Sequence, residues 1–427
     1  MFPGGINGNR DAPDHFRAPP KEVDDRMTTT ILHVSDSHIG CQQYRNDTRR
    51  EDFLDAFEQA LAVARGEHPD HDNDPVDAVL HTGDLFDDQL TSFDDVYACH
   101  EALRGLREAN IPFFVIVGNH EIRRNTDFVD EFVLTGDAIR LTRTPTPVNN
   151  EVALYGVDSV KQPDWEETDL SLESADEGLF RLVAMHQLFS PPIDAVGHEA
   201  SNILDLEPVL DRFGTDVDGI ALGDCHERLG DTCRGVPVWY PGSTERTTRD
   251  TPHPSVDLLT IDPEGSPQFD RERLLLDTRE FIEIDIEFGE SDTFDLVERK
   301  VEEKAPVADA VVFVNVRGAE NGVTKQEIHD HLHARGVTHA DVTDERVVEA
   351  IAGDLDDLDT ESEIDVDAEL DEAIGELDIS EEARELEEML RHADPDLDDT
   401  RRRGNAKERF RALAAERFGD AATGGDA

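Results

Sequence analysis

Five short stretches of the 427-residue chain gather side chains that bind cations and move protons. They are Asp36-Ser37-His38, Gly83-Asp84-Leu85-Phe86-Asp87, Gly118-Asn119-His120-Glu121, Met185-His186-Gln187 and Gly223-Asp224-Cys225-His226. Carboxylates, an amide and imidazoles together form a mixed oxygen and nitrogen donor set, which suits Mn²⁺, Fe or Zn²⁺ better than Mg²⁺ alone. A carboxylate such as that of Asp84 can bridge two ions about 3.5–4 Å apart, the spacing of two-metal phosphoryl chemistry. Each motif taken singly has an ordinary explanation. A D-x-H or G-D at a strand end usually makes an Asx turn, G-N-H-E fits a turn with Gly and Asn at positive φ, and His186 alone reads as a satisfied core histidine. The ordered recurrence of all five, each behind an apolar run, is what turns alone do not require.

The elements that must position these residues are legible as well. Apolar runs over 30–34, 78–80, 111–117, 182–184 and 219–222 predict strands, and helices are expected over 50–65 and 96–109. Strands alternating with helices predict a layered α/β domain over 27–277, with the loops at the carboxyl ends of its strands converging on one crevice. A second α/β pattern occupies 278–350: apolar and acidic residues alternate over 280–288, followed by a helix over 294–304, a strand over 310–316 and a helix over 325–335. Residues 1–26, rich in Gly, Pro and charge, are expected to be a disordered extension, with Met27 as a candidate true start.

Between Asp354 and Asp378 there are thirteen acidic residues and no Lys or Arg, so 351–379 reads as an acidic linker. Over 380–427 two short amphipathic helices are predicted. Ser380 caps one carrying Ala383, Leu386 and Met389 or Leu390, and Thr400 caps the other, with Ala406, Phe410, Leu413 and Phe418 at helical spacing. Isolated by the linker, they are expected to dock on a partner.

The formal charge of -59 supplies no basic footprint of the kind nucleic-acid binders usually show. Lysine occurs only at 21, 161, 300, 304, 325 and 407, and the other basic residues are arginines. That usage resembles proteins of extremely halophilic archaea, for which the Debye length falls to about 3 Å at 1 M salt and like charges hardly repel. The charge then describes the solvent rather than the ligand. Cys41, Cys99, Cys225 and Cys233 form no C-x-x-C and are expected to be reduced thiols. No run approaches the ~18 apolar residues of a membrane span, and the N-terminus lacks a signal-peptide pattern, so a cytoplasmic location away from membranes is expected.

The order D-x-H, G-D, G-N-H-E, H and G-D-x-H resembles the calcineurin-like metallophosphoesterase superfamily, whose last motif is usually G-H-x-H. Three details narrow the resemblance: Ser35-Asp36-Ser37-His38-Ile39-Gly40 followed by Tyr44 and 49–53, His81 before the G-D-L-F-D motif, and Tyr240-Pro241-Gly242-Ser243-Thr244-Glu245-Arg246. Together they are similar to the meiotic-recombination-eleven (SbcD-type) DNA repair nucleases in their archaeal form, strongly over 29–250. The resemblance implies a four-layer α/β sandwich, a small α/β capping domain at 278–350 and a partner-ATPase-binding segment at 380–427.

Carried over residue by residue, it implies that Asp36, His38, Asp84 and His226 hold one Mn²⁺. Asp84, as the bridge, with Asn119, His186 and Asp224 would hold a second. Asp224 departs from the family's usual His, and its added negative charge should lessen the Lewis acidity of that ion. His120, not a ligand in the family, would stabilise the transition state or protonate the leaving 3′ oxygen. Asp87, His81 and Glu121 would orient ligands or serve structure alone, and Arg123, Arg124, Arg228 and Arg246 would contact phosphates or remain merely solvated. The implied activity is Mn-dependent exonuclease and endonuclease hydrolysis of DNA during double-strand-break repair, by a homodimer working with an SMC-like, ABC-type coiled-coil ATPase. Two alternatives stay open: a metallophosphoesterase for substrates other than DNA, and a weakly active scaffold that binds DNA ends.

Overall fold

The computed structural model describes residues 28–346, apart from 72, 89–90, 122–127, 195–201, 264 and 266–268. The expected N-terminal extension, Met27, the acidic run, both C-terminal helices, Arg123 and Arg124 lie outside the described residues. In chain order the fold begins with β1 (Thr29–Val34), a 3-10 turn (Gln43–Arg45), α1 (Asp47–Ala64), β2 (Ala78–His81), α2 (Phe93–Glu108), β3 (Phe113–Val115), α3 (Phe128–Thr135) and β4 (Ile139–Arg140). It continues through β5 (Thr146–Val148), β6 (Val152–Val157), β7 (Phe180–His186), β8 (Phe189–Ser190), β9 (Leu204–Asp205), α4 (Glu207–Arg212), β10 (Gly219–Gly223), β11 (Leu229–Cys233) and β12 (Val236–Tyr240). Last come β13 (Ser255–Ile261), β14 (Phe269–Leu275), β15 (Phe281–Phe288), α5 (Asp295–Glu303), β16 (Val311–Gly318), α6 (Lys325–Ala334) and β17 (His339–Asp344).

Two six-stranded sheets stack face to face. The first has the order β14-β13-β1-β2-β3-β4 and the second β11-β12-β10-β7-β6-β5. The central strands are parallel, with Val34 opposite His81 and Gly223 opposite His186, while β13, β14, β11 and β5 add antiparallel edges. The period-2 alternation of β1 shows how the layers are built. Ile31 joins Leu80, Ile116, Leu154, Leu182, Ala221 and Trp239 between the sheets. Leu32 and Val34 point the other way, into a core shared with Phe57 of α1, Leu103 of α2 and Phe132 of α3. The outer face of the second sheet is covered by Trp165, Leu170, Phe213 and α4. Helices, sheet, sheet and a helix with irregular segments make the four layers expected.

Local chemistry sets the element ends. Asn46 caps α1 by accepting from Thr48 N, and Ser92 caps α2 by accepting from Asp95 N, which starts that helix three residues before the expected 96. The run 111–117, expected to be one strand, narrows to β3; past it Ile116 N still donates to His81 O of β2, and Val117 N turns to the Asp158 carboxylate. One polar group lies deep between the sheets: His33 accepts from Trp239 Nε1 at 2.8 Å and meets Thr82 Oγ1 at 3.0 Å. Burial, followed by the charge of Arg271, holds its imidazole well below the ordinary value, so it stays neutral.

A third sheet, β15-β16-β17, is wholly parallel and carries α5 and α6 around its own core of Ile284, Val297, Val312, Val314, Ile328 and Leu332. It packs on the larger sheets through a polar seam. Buried Arg49 of α1 donates to Gln43 Oε1, Asp52 Oδ2, Glu245 Oε1 and Arg246 O, and its guanidinium lies 5.1 Å from the Phe281 ring centre. Arg279 forks onto Asp52 at 2.6 and 2.7 Å, and Asn46 Nδ2 donates to Thr338 O at 2.8 Å. All four cysteines are free thiols. Among the described residues, no helix is long and apolar enough to cross a membrane.

Candidate metal centre

All five motifs sit at carboxyl ends of strands, as expected, but of strands from both sheets. β1, β2 and β3 of the first sheet lead into Asp36 and His38, Asp84, and Asn119 and His120; β7 and β10 of the second lead into His186 and into Asp224 and His226. The centre therefore straddles the rim of the sandwich instead of lying in the crevice of one open sheet. Backbone bonds continue the β1–β2 pairing past the strand ends: Asp36 N donates to Gly83 O, His38 N to Asp84 O and Ile39 N to Leu85 O. Asp224 N crosses to the other sheet and donates to Asp36 Oδ1 at 3.1 Å.

Bringing the donors together requires unusual backbone. Asp36, His38, Asp84 and Asp224 all have positive φ, at 52°, 44°, 53° and 87°, a region that side-chain-bearing residues adopt only when the surroundings over-determine it. Gly118 shows how close the loops come, since a Cβ there would stand 2.0 Å from Asp84 Oδ1. Glu121 is the tie between the Asp84 and Asn119 loops. Its carboxylate is buried and accepts from Leu85 N at 2.7 Å, Phe86 N at 3.1 Å and Gly118 N at 2.9 Å. Burial, then the charge of Asp84, pushes its carboxyl up to about 7.

The donor atoms meet lone pair to lone pair. His38 Nε2 and His226 Nε2 are 3.1 Å apart, and Asp36 Oδ1 is 3.8 Å from the latter. His186 Nδ1 donates to Thr82 O at 2.6 Å, which turns its Nε2 toward Asn119 Oδ1 at 3.2 Å, Asp84 Oδ2 at 3.3 Å and Asp224 Oδ1 at 3.8 Å. Acceptors so placed need a proton or a cation among them. Burial alone would lower His186, but the Asp84 carboxylate outweighs it and pushes the imidazole up to about 10; the same pairing holds Asp84 below the usual carboxylate range against its burial. Burial raises Asp36 and Asp224. His226, by contrast, is pushed down to about 4 by burial and by His38 beside it, so its ring is neutral and free to ligate.

Three sets have ligand atoms within 4.8 Å of one another: Asp36 with His38 and His226, Asp36 with Asp84 and His186, and His38 with Asp84 and His120. These sets fit divalent ions in chemistry and charge. Asp36, His38 and Asp84 each belong to two of the sets. Asn119 and Asp224 approach from the His186 side.

His120 stands at the mouth, partly exposed. Its backbone N donates to Asp84 Oδ1 at 3.0 Å, its Nδ1 donates to Asp87 O at 2.5 Å, and its ring meets that of His38 edge-on. Asp87 Oδ1 lies 3.4 Å from His38 Nδ1, the carboxylate-to-imidazole contact that orients a metal-ligating histidine. His81 bonds Ser37 Oγ at 3.0 Å and is held down to about 3 by burial and then His186, a neutral support beneath the loop. Arg228 pairs with buried Asp257 at 2.7 Å, and the Arg246 guanidinium lies over Phe281 at 5.1 Å; both serve packing in this arrangement.

Sequence reading missed Ser35, whose hydroxyl donates to Asp36 Oδ2 at 2.5 Å, and Thr247, which holds His226 Nδ1 at 2.6 Å. Ser35 had the signal of adjacency to Asp36. Thr247 had only its place just beyond the Tyr240–Arg246 motif. The Cys225 thiol is pushed up to about 12, chiefly by burial.

Comparison with known proteins gives concordant matches. A family model described as calcineurin-like phosphoesterase matches residues 29–228. A protein of Haloferax volcanii named DNA double-strand break repair protein Mre11 is 34% identical over 408 residues, covering 92% of this chain and 86% of its own length. Its namesake in Halobacterium salinarum is 33% identical, covering 84% of this chain and 89% of its own. That of Methanosarcina mazei is 34% identical over 75% of this chain and 50% of its own.

The tie formed by Glu121 yields a test. In Glu121→Gln the amide must turn an N–H toward a backbone N–H, so stability is expected to fall by about 1–3 kcal/mol and affinity for a divalent ion by about 10–100-fold as the two loops loosen. Thermal unfolding and metal titration would measure both; unchanged values would remove Glu121 from this role.

Proposed function

The chain belongs to the calcineurin-like phosphoesterases, among the Mre11 proteins of DNA double-strand break repair, and from that membership we propose that it is a metal-dependent nuclease that hydrolyses DNA phosphodiesters. The observation that carries the reading is the meeting of carboxylate and imidazole lone pairs at one rim of the sandwich. We assign Asp36, His38, Asp84 and His226 to one ion and Asp84, Asn119, His186 and Asp224 to a second, with Mn²⁺ as the ion in both. Such ions, when bound, polarise phosphoryl oxygens and make water acidic enough to attack phosphorus.

The chain's own groups supply positioning and proton transfer. Asp87 O fixes the His120 ring through Nδ1, which leaves Nε2, 3.9 Å from Asp84 Oδ2, facing the centre. For Nε2 to protonate the leaving 3′ oxygen the ring must enter as the imidazolium, with N–H on both nitrogens; the Nδ1–H stays on Asp87 O while the Nε2 proton passes to the oxygen as its bond to phosphorus breaks. Asp36 and Asp84 place negative charge where the cations must sit, and Asp224 adds to it. A cavity of about 420 Å³ opens beside Asp224 and His226, walled by Leu188, Ile193, Ile203 and Leu229. Its apolar side can take a nucleobase, while Glu227 and Asp250 complete the lining, which favours a nucleic-acid or nucleotide substrate over a phosphoprotein.

Phe93 and Tyr97 on α2 and Val133 and Leu134 on α3 are exposed, Phe93 and Leu134 by 82% each. Adjoining helices that leave four large apolar side chains in water favour a homodimer built through this face. The β15–β17 unit is assigned as a capping domain over 278–350, and the segment 380–427 as the docking site for a coiled-coil ABC ATPase.

Three outcomes follow. His120→Ala is expected to lower Mn-dependent cleavage of linear DNA at high salt by about 10²–10⁴-fold; no cleavage by the wild type, or equal cleavage by the variant, would sink the nuclease assignment. Phe93→Glu combined with Leu134→Glu should convert a dimer to a monomer in light scattering, and a dimer that persists places the interface elsewhere. Removal of 380–427 should abolish co-purification with the ATPase while leaving nuclease activity on single strands; undiminished co-purification would refute the docking role.

A further inference from the structure

Helix α6 carries three histidines in the segment His329-Asp330-His331-Leu332-His333. They have separate surroundings. Leu332 enters the core of the third sheet, and His331 turns its ring edge to Phe294, with centroids 5.3 Å apart. His329 and His333, one helical turn apart, lie side by side on the outer face. Their ring centroids are 4.3 Å apart and their Nε2 atoms 3.2 Å. Asp330 Oδ1 stands 3.8 Å from His329 Nδ1, outside hydrogen-bond reach, so the facing of the two Nε2 atoms rests on their own 3.2 Å separation.

The distance between the two nitrogens is informative. Two imidazole nitrogens on one tetrahedral ion, each about 2.0–2.1 Å from it, stand about 3.3 Å apart. The pair His38 and His226 in the catalytic centre meets at 3.1 Å, and the α6 pair repeats that spacing on an exposed helix. We propose that His329 and His333 form a second metal site, outside the catalytic centre, for a nitrogen-preferring divalent ion of the Zn²⁺, Cu²⁺ and Ni²⁺ class. Neutral imidazoles without a carboxylate between them discriminate against Mn²⁺, which stands lowest in the affinity order of the first-row ions. The inference does not depend on the nuclease reading.

The location gives such an ion something to brace. His339, at the start of β17, stacks on Tyr44 with ring centroids 4.2 Å apart and planes 3° from parallel. Tyr44 lies just beyond the Asp36-Ser37-His38 motif, so this contact is part of the seam between the third sheet and the catalytic layers. Burial lowers the His339 imidazole, and nearby His333 and His329 lower it further against the pull of Asp341. The three rings therefore share one region, and an ion held by the α6 pair spans a turn of the helix beside that seam.

The test uses the full chain at high salt, with its catalytic centre loaded with Mn²⁺ and Zn²⁺ added by equilibrium dialysis. Any exchange in the catalytic centre is common to all variants, so differences report on α6. Wild type should hold one more Zn²⁺ per chain than His333→Gln, whose remaining affinity at that site should be lower by about tenfold or more. His331→Gln, which alters a histidine of the same helix outside the pair, should match wild type. Thermal unfolding of both metal-free variants at the wild-type temperature would show that each is folded. Equal Zn²⁺ content in wild type and His333→Gln, or an equal loss in His331→Gln, would overturn the site and leave the two rings as a hydrogen-bonded pair.

Discussion

The structure depends on one electrostatic constraint: buried oxygen and nitrogen lone pairs have to be held facing each other at the ends of five strands. Acceptors at 3.1–3.3 Å repel unless positive charge lies between them, and they spread apart if their backbone can relax. The fold prevents that relaxation. Four of the ligand-bearing residues sit at positive φ, Gly118 admits Asp84 where no side chain would fit, and Glu121 binds three backbone N–H groups of two loops. Strain of this kind persists only on a rigid base. Two stacked sheets with packed cores on three faces provide one.

A second set of buried charges joins the third sheet to this base. Arg49 and Arg279 converge on Asp52, and Arg49 also reaches Glu245 and the Phe281 ring. Salt screens exposed pairs within a few ångströms at molar concentration but reaches buried pairs much less. A chain carrying -59 formal charge keeps its exterior hydrated and can still rely on the interior arginines for architecture. The same reasoning bears on substrate. Where counterion release drives binding, affinity for DNA falls steeply with salt, so recognition must rest on short-range bonds at the rim instead of a basic surface.

Much of this arrangement was legible in the residues. The strands behind the five motifs, the helices α1 and α2, and the alternation of β15, α5, β16 and α6 follow from local periodicity and caps, which act over a few residues. The antiparallel strands β11, β13 and β14 were not legible, because pairing of β13 with β1 is decided by contacts more than two hundred residues apart in the chain. Ser35 and Thr247 escaped for a similar reason. A hydroxyl is recognised as a support only when the carboxylate or imidazole it holds is in place.

By itself the sequence determined the donor set, the order in which its members appear and their position behind apolar strands, since side-chain chemistry and strand propensity are local properties. Only the tertiary structure decided that the donors come from two sheets instead of one, that Asp36 and His38 as well as Asp84 are shared between ligand sets, and that Arg228 is paired with Asp257. It also decided that His329 and His333 face each other while His331 turns away. Those outcomes depend on which faces of the elements meet, and that is fixed by burial of the whole chain's apolar surface, a quantity no single segment carries.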